Sequence, residues 1–167
     1  MNSRGFTLIE VLISLLVLAI GVLGIAALQM STYKQLITSH NYGTAMMLAG
    51  EIGDRMMANR AQSLANAYNH TSYSGTPPAC NTTTCTAAEV AVYDVATWQT
   101  RVTGNIASGT RTPGSLPSGT GSVARQAGTD NFLITVRWDD DLSGSSGTNC
   151  PVQSAADLDC YTLLVSF

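Results

Sequence analysis

Phe6-Thr7-Leu8-Ile9-Glu10-Val11-Leu12-Ile13-Ser14-Leu15-Leu16-Val17-Leu18-Ala19-Ile20-Gly21-Val22-Leu23-Gly24-Ile25-Ala26-Ala27-Leu28 places 18 apolar residues in 23 positions, with a single charge at Glu10. Such a run, wound as a helix, is long enough to cross the roughly 30 Å hydrocarbon core of a bilayer. It also accounts for much of the positive mean hydropathy of the 167-residue chain, +0.14. Charged residues make up only 11% of the sequence, against about 25% in an ordinary soluble domain. The net charge is −3, and Lys34 is the single lysine. Arg55, Arg60, Arg101, Arg111, Arg125 and Arg137 are scattered along the chain. Nucleic-acid binding needs clustered charge that neutralises phosphates, so that class is set aside. The length fits one domain.

Three readings compete for the apolar run. A secretory signal needs a basic start, a short apolar core and a small-residue cleavage site. Arg4 and Gly24-Ile25-Ala26 would fill the outer roles, but the core is too long and contains Glu10. A plain signal anchor leaves the carboxylate unexplained, because an acid at mid-membrane costs about 2.5–3.5 kcal/mol. Glu10 sits one turn from the helix start, where snorkelling lowers that cost. The third reading joins the run to what precedes it. Met1-Asn2-Ser3-Arg4-Gly5 is a short basic leader ending in glycine, and Phe6-Thr7-Leu8-Ile9-Glu10 follows it directly. Together these closely resemble the class III signal of type IV prepilins. The resemblance implies cleavage by prepilin peptidase between Gly5 and Phe6, N-methylation of Phe6, and a docking role for Glu10 during filament assembly. Phe6 and Glu10 are four residues apart and share a helix face. Cleavage would create an amine at Phe6, and Glu10 could pair with the amine of a neighbouring subunit. Pairing removes the penalty of a buried lone charge. The plainer reading places Glu10 at the lipid headgroups.

The helical pattern continues past the membrane. No proline occurs before Pro77, and Ala45, Leu48, Ala49, Ile52, Met56 and Leu64 form one apolar stripe at helical spacing. One helix is therefore expected from Phe6 to about Ala67, amphipathic over residues 29–68. His70 to Thr84 reads as a loop. Thr86-Ala87-Ala88-Glu89 has capping-box spacing. A second helix follows, with Val95, Trp98, Val102 and Ile106 on one face. Ser108 to Ser122 holds 13 Ser, Thr, Gly or Pro in 15 positions and reads as a flexible loop. Strands are expected at Phe132 to Trp138 and from Asp159 to Phe167, with a further short one at Gly121 to Ala124. Trp98 and Trp138 read as core residues.

The resemblance extends to PilV-type minor pilins, the type IV pilus modification proteins. It is carried by Ile20-Gly21-Val22-Leu23-Gly24-Ile25-Ala26-Ala27-Leu28-Gln29 and by Glu51-Ile52-Gly53-Asp54-Arg55-Met56-Met57-Ala58-Asn59-Arg60. Tyr93-Asp94 with Trp98-Gln99, and Thr135-Val136-Arg137-Trp138-Asp139-Asp140, are similar to that family's head. It implies an α+β pilin fold: leader 1–5, membrane and assembly helix 6–28, amphipathic helix 29–68, and head 69–167 on a small antiparallel sheet. It implies a protein of the inner membrane with its head in the periplasm, later carried on an extracellular pilus. The partners implied are prepilin peptidase, the major and other minor pilins, and a pilus-tip adhesin. Adhesion and twitching motility are the activities it implies. A type II secretion pseudopilin shares the leader and architecture. A single-pass periplasmic enzyme or sensor is the alternative from another class, and it expects an uncleaved Met1.

Other residues weigh less. Cys80, Cys85, Cys150 and Cys160 allow three disulfide connectivities. The local pairs Cys80–Cys85 and Cys150–Cys160 are favoured, each closing a polar loop. The resemblance implies that a pair near the C-terminus frames a displayed loop. Zinc is disfavoured: paired C-x-x-C spacing is lacking, and His40 and His70 are the only histidines. Asp139-x-Asp141-x-Ser143-Gly144 copies the start of a calcium loop, but the twelfth position is Cys150 instead of a bidentate Glu. It reads as a solvated acidic turn. Glu51 and Arg55 form an i, i+4 pair. With Asp54 and Arg60 they are candidates for docking a neighbouring minor pilin. No catalytic motif is present, so neither an enzyme nor a cofactor is expected.

Overall fold

The computed structural model describes residues 7–71, 73, 76–107 and 110–167. The expected leader, with its cleavage and methylation positions at Gly5 and Phe6, lies outside the described residues. The chain divides into two units, residues 1–39 and 40–167. Helix α1, Leu8–Ala58, contributes to both.

In the first unit α1 opens at Thr7, whose carbonyl accepts the amides of Glu10 at 3.1 Å and Val11 at 3.3 Å. Every described residue up to Ser39 is exposed. This stretch is apolar enough to cross a membrane. Its hydroxyls are spent on the helix itself: Ser14 Oγ donates to the Val11 carbonyl at 2.8 Å and Thr32 Oγ1 to that of Leu28 at 3.0 Å. Such back-bonding leaves little polar surface to desolvate.

The second unit packs the remainder of α1 and helix α3, Ala87–Thr103, with a three-stranded antiparallel sheet. Its strands are β3 (Thr120–Arg125), β4 (Asn131–Trp138) and β5 (Asp159–Ser166), in the order β3-β4-β5. Pairing sets Val123 opposite Ile134, and Ile134 opposite Leu163. Because side chains alternate across a strand, this register turns Phe132, Ile134 and Val136 to one face, all fully buried. The α1 stripe is legible as expected: Ala45, Leu48, Ala49, Ile52 and Met56 are buried. Trp98 from α3 is fully buried, and its indole Nε1 donates to the Leu48 carbonyl at 2.8 Å. The indole also lies over Gly121, where a Cβ would stand 2.5 Å from Trp98 Cη2. This α+β arrangement is the one the pilin resemblance implies.

Three boundaries differ from expectation. The long helix ends at Ala58, not near Ala67; Asn59 leaves helical geometry and the five-residue α2, Arg60–Leu64, follows. The cause is tertiary, because the Asn59 side chain donates to the Ala87 carbonyl at 2.8 Å, at the start of α3. Leu64 is consequently only half-buried. Helix α3 begins at the expected capping box, in which Thr86 and Glu89 satisfy each other's backbone amides. It stops at Thr103 because Gly104 takes φ 83°, a left-handed conformation that ends helices. Ile106 therefore belongs to a strand. Finally, Ser108 to Ser122 is not a loop throughout: β1 (Gly104–Ala107) pairs with β2 (Thr110–Pro113), and β3 starts at Thr120. Backbone pairing to a neighbour needs no apolar side chain, so composition could not show it.

Candidate functional site

On the N-terminal helix, Glu10 lies in the first turn of α1 and is exposed. Leu8 is 85% exposed, and Leu12, Leu16, Ile20, Leu23 and Leu28 are each more than half exposed. A patch this large has no place in water and needs lipid or partner helices to cover it. One acid near the start of such a surface is costly to cover while it stays unpaired.

The charged residues of α1 and α2 that are candidates for docking part into two groups. Arg55 Nη2 donates to Glu51 Oε1 at 2.6 Å, and Nη1 donates to Asp94 Oδ1 and Thr97 Oγ1, each at 3.0 Å. Arg101 pairs with the other Glu51 oxygen. Tyr68 OH donates to Asp94 Oδ2 at 2.7 Å. Burial, reinforced by that bond, pushes the Tyr68 pKa well above its ordinary value. Glu51 and Arg55 therefore fasten α1 to α3. Asp54 and Arg60 stay exposed, with no ion pair among the described residues.

All four cysteines are paired, Cys80 with Cys85 and Cys150 with Cys160, at Cα separations of 5.5 and 6.0 Å. The first bridge ends directly before the capping box of α3. The second closes a loop organised by Asp157, a residue that sequence reasoning did not single out. One of its oxygens accepts from Asn149 Nδ2 at 2.9 Å; the other accepts from the amides of Gln153 and Ser154 and from Ser154 Oγ, at 2.9–3.1 Å. Desolvation opposes ionisation there, yet these hydrogen bonds together hold the carboxyl below its usual range. The only signal for this in the sequence is a pair of acids, Asp157 and Asp159, inside a cysteine-bounded loop.

The calcium-like turn is exposed from Asp141 to Gly144, in keeping with its reading as a solvated feature, and only its first acid departs from it. Asp139 is buried, and its two oxygens accept from the Ser143 and Gly144 amides at 3.1 and 2.9 Å. Asp141 Oδ1 also accepts from the Ser143 amide. The carboxylates close the turn on itself. His40 is exposed on α1, and the His70 backbone bridges Val123.

Comparison with known sequences assigns the N-terminal part. Residues 1–26 match the prokaryotic N-terminal methylation motif, a type IV pilin-like prepilin signal. That motif supports a pilin or pseudopilin, a structural class of protein, and it implies processing by prepilin peptidase and assembly with other pilins. Together with the apolar helix it fits a membrane-anchored pilin. No curated protein and no solved structure matches the chain.

Proposed function

We propose that this chain is a minor pilin of a type IV pilus, of the PilV type, held in the inner membrane by α1 with its head in the periplasm until assembly. One observation carries the reading: the methylation motif over residues 1–26 lies on the apolar start of α1, which is exposed at every described residue up to Ser39 and over that stretch bears one acid, Glu10, in its first turn. Prepilin peptidase cuts after Gly5, and Phe6 becomes the N-methylated terminus. Glu10 then pairs with a terminal amine in the assembling filament, where each neutralises the other's desolvation cost. Through its place in the pilus the subunit supports assembly initiation, adhesion and twitching motility, next to other minor pilins and a tip adhesin. Paired cysteines suit a head in an oxidising compartment.

Mass spectrometry of the mature N-terminus tests this, on protein from native membranes and from sheared surface filaments. N-methylated Phe6 in both fractions is the expected result. Its presence in membranes alone would favour a secretion pseudopilin. An intact Met1 would mean a signal anchor, and a start near Ala27 a secreted domain; either overturns the proposal.

A further inference from the structure

The two edges of the three-stranded sheet are treated differently. The β3 edge is covered where the His70 amide donates to the Val123 carbonyl at 2.8 Å and the Val123 amide returns the bond at 2.7 Å. The β5 edge is open. Alternate residues of an edge strand direct their N–H and C=O groups away from its single neighbour. Among the described residues, no backbone bond joins Asp159–Ser166 to any segment other than β4. Past the Cys150–Cys160 bridge little blunts this edge: β5 has no proline and no lysine along its eight residues, and its single charge is Asp159 at the start. Its core-facing side chains, Tyr161, Leu163 and Val165, are only half-buried for want of a neighbour.

The flank of α1 beside that edge is apolar and unoccupied. Tyr42 meets Tyr161 edge-on with ring centroids 5.5 Å apart, and a Cβ at Gly53 would touch Val165, Ile134 and Leu163. Tyr42 and Gly53 thus mark the line where α1 borders β5. At 100° per residue, Met46, Met57 and Gly50 come next around the helix, moving outward from that line. Met46 is 48% exposed, Met57 is 53% exposed, and nothing lies within 4 Å of where a Cβ at Gly50 would stand. A hollow of about 460 Å³, lined by Tyr42, Pro151, Val152, Tyr161 and Thr162, continues the channel towards the Cys150–Cys160 loop.

We propose that the β5 edge and this α1 flank form a docking channel for an extended strand donated by another protein. The donated strand adds to β5 through its backbone. It turns apolar side chains onto Met46 and Met57 and carries a cation at the end facing Asp159. Backbone pairing supplies affinity and the alternate side chains supply choice, as in other strand additions. The cation follows from charge. Asp159 stands beside Asp139, Asp140 and Asp141, and its own desolvation, then the Asp140 charge, raises its pKa. A second copy would answer this poorly: antiparallel pairing of two β5 strands sets Asp159 against Ser166, and the chain carries a net charge of −3. This inference does not depend on the pilus reading.

The test uses the full chain in neutral detergent micelles and a capped eight-residue peptide of alternating Val and Thr with Lys at its C-terminus. Antiparallel addition sets that Lys against Asp159. Hydrogen exchange of the Asp159–Ser166 amides is followed by mass spectrometry. Saturating peptide should slow exchange of alternate β5 amides by about tenfold or more. The same peptide N-methylated at every second residue should leave them unchanged. Paired Met46→Ser and Met57→Ser substitutions should weaken binding by about tenfold, and Asp159→Asn should abolish the preference for Lys over Glu at the peptide's end. Unchanged β5 exchange overturns the proposal, as does equal binding of the N-methylated peptide or indifference to the terminal charge. Protection that rises with protein concentration without peptide would assign the edge to a second copy instead.

Discussion

Gly121 shows how little room single residues leave in the head. Trp98 lies across it, so Gly121→Ala should drive a methyl into the indole and cost about 1–3 kcal/mol, read as a fall in midpoint on denaturant unfolding. Trp98→Ala should cost about 3–5 kcal/mol, because it leaves a cavity and removes the indole bond to the Leu48 carbonyl. The carboxylates act in opposite senses. Asp157 has its pKa held down by the loop's donors, so it stabilises the fold above the ordinary carboxylate pKa and loses that contribution as pH falls through its lowered value. Acid unfolding should therefore be steeper in the native chain than in Asp157→Asn. Asp159 has a raised pKa, so its ionised form is a burden at neutral pH that protonation lifts. Asp159→Asn should raise Tm at neutral pH, with a gain that shrinks as pH falls through the raised value and is gone below the ordinary carboxylate pKa, about 4. Trp98 was legible as a core residue, but the carboxylate behaviour was not, since Asp157 and Asp159 acquire their surroundings from the disulfide loop and the end of β4.

Among the elements, the contact of α1 with α3 rests on Arg55 as well as on apolar packing. Arg55→Ala leaves Asp94, itself nearly buried, with Tyr68 as its remaining side-chain donor. The expected loss is about 1.5–3 kcal/mol on thermal or urea unfolding, from the missing charge-assisted bonds. Glu51→Gln should cost less, because Arg55 keeps Asp94. The two disulfides should also differ. On loop entropy, opening the longer Cys150–Cys160 loop costs about 3 kcal/mol and opening Cys80–Cys85 about 2, which Cys→Ser pairs would separate. The elements themselves were largely legible, because each announces itself by local periodicity or capping. Their ends were not. Asn59 breaks α1 by reaching a carbonyl of another helix, and β1–β2 pair through backbone groups that composition does not report.

For the molecule as a whole, the exposed apolar surface of α1 and the packed head pose different solvent demands. The full chain should be recovered from membranes only with detergent, and residues in the 8–28 stretch should be shielded from water-soluble labels when bilayer is present. Glu10→Ala should leave processing intact while reducing the chain in sheared filaments to background, scored by immunoblot of both fractions. Wild-type recovery in the filaments would refute the docking role of that carboxylate. Here the apolar run could be read directly, because 18 apolar residues in 23 are a property of composition and order alone.

The amino-acid order by itself determined the prepilin-like start, the membrane-competent helix, the apolar stripe of α1, the capping box of α3 and the strand at the C-terminus. Each depends on residues within a turn or two of one another, so the local physics is already complete in the chain. Only the tertiary structure decided that Glu51 and Arg55 face inward, that Asp139 closes its own turn, that Asp157 props the last loop, and that β5 is left with a bare edge beside Met46 and Met57. These depend on pairings between distant segments. The free energy of a charge or a backbone group is set by what surrounds it, and that is known only once the chain has folded.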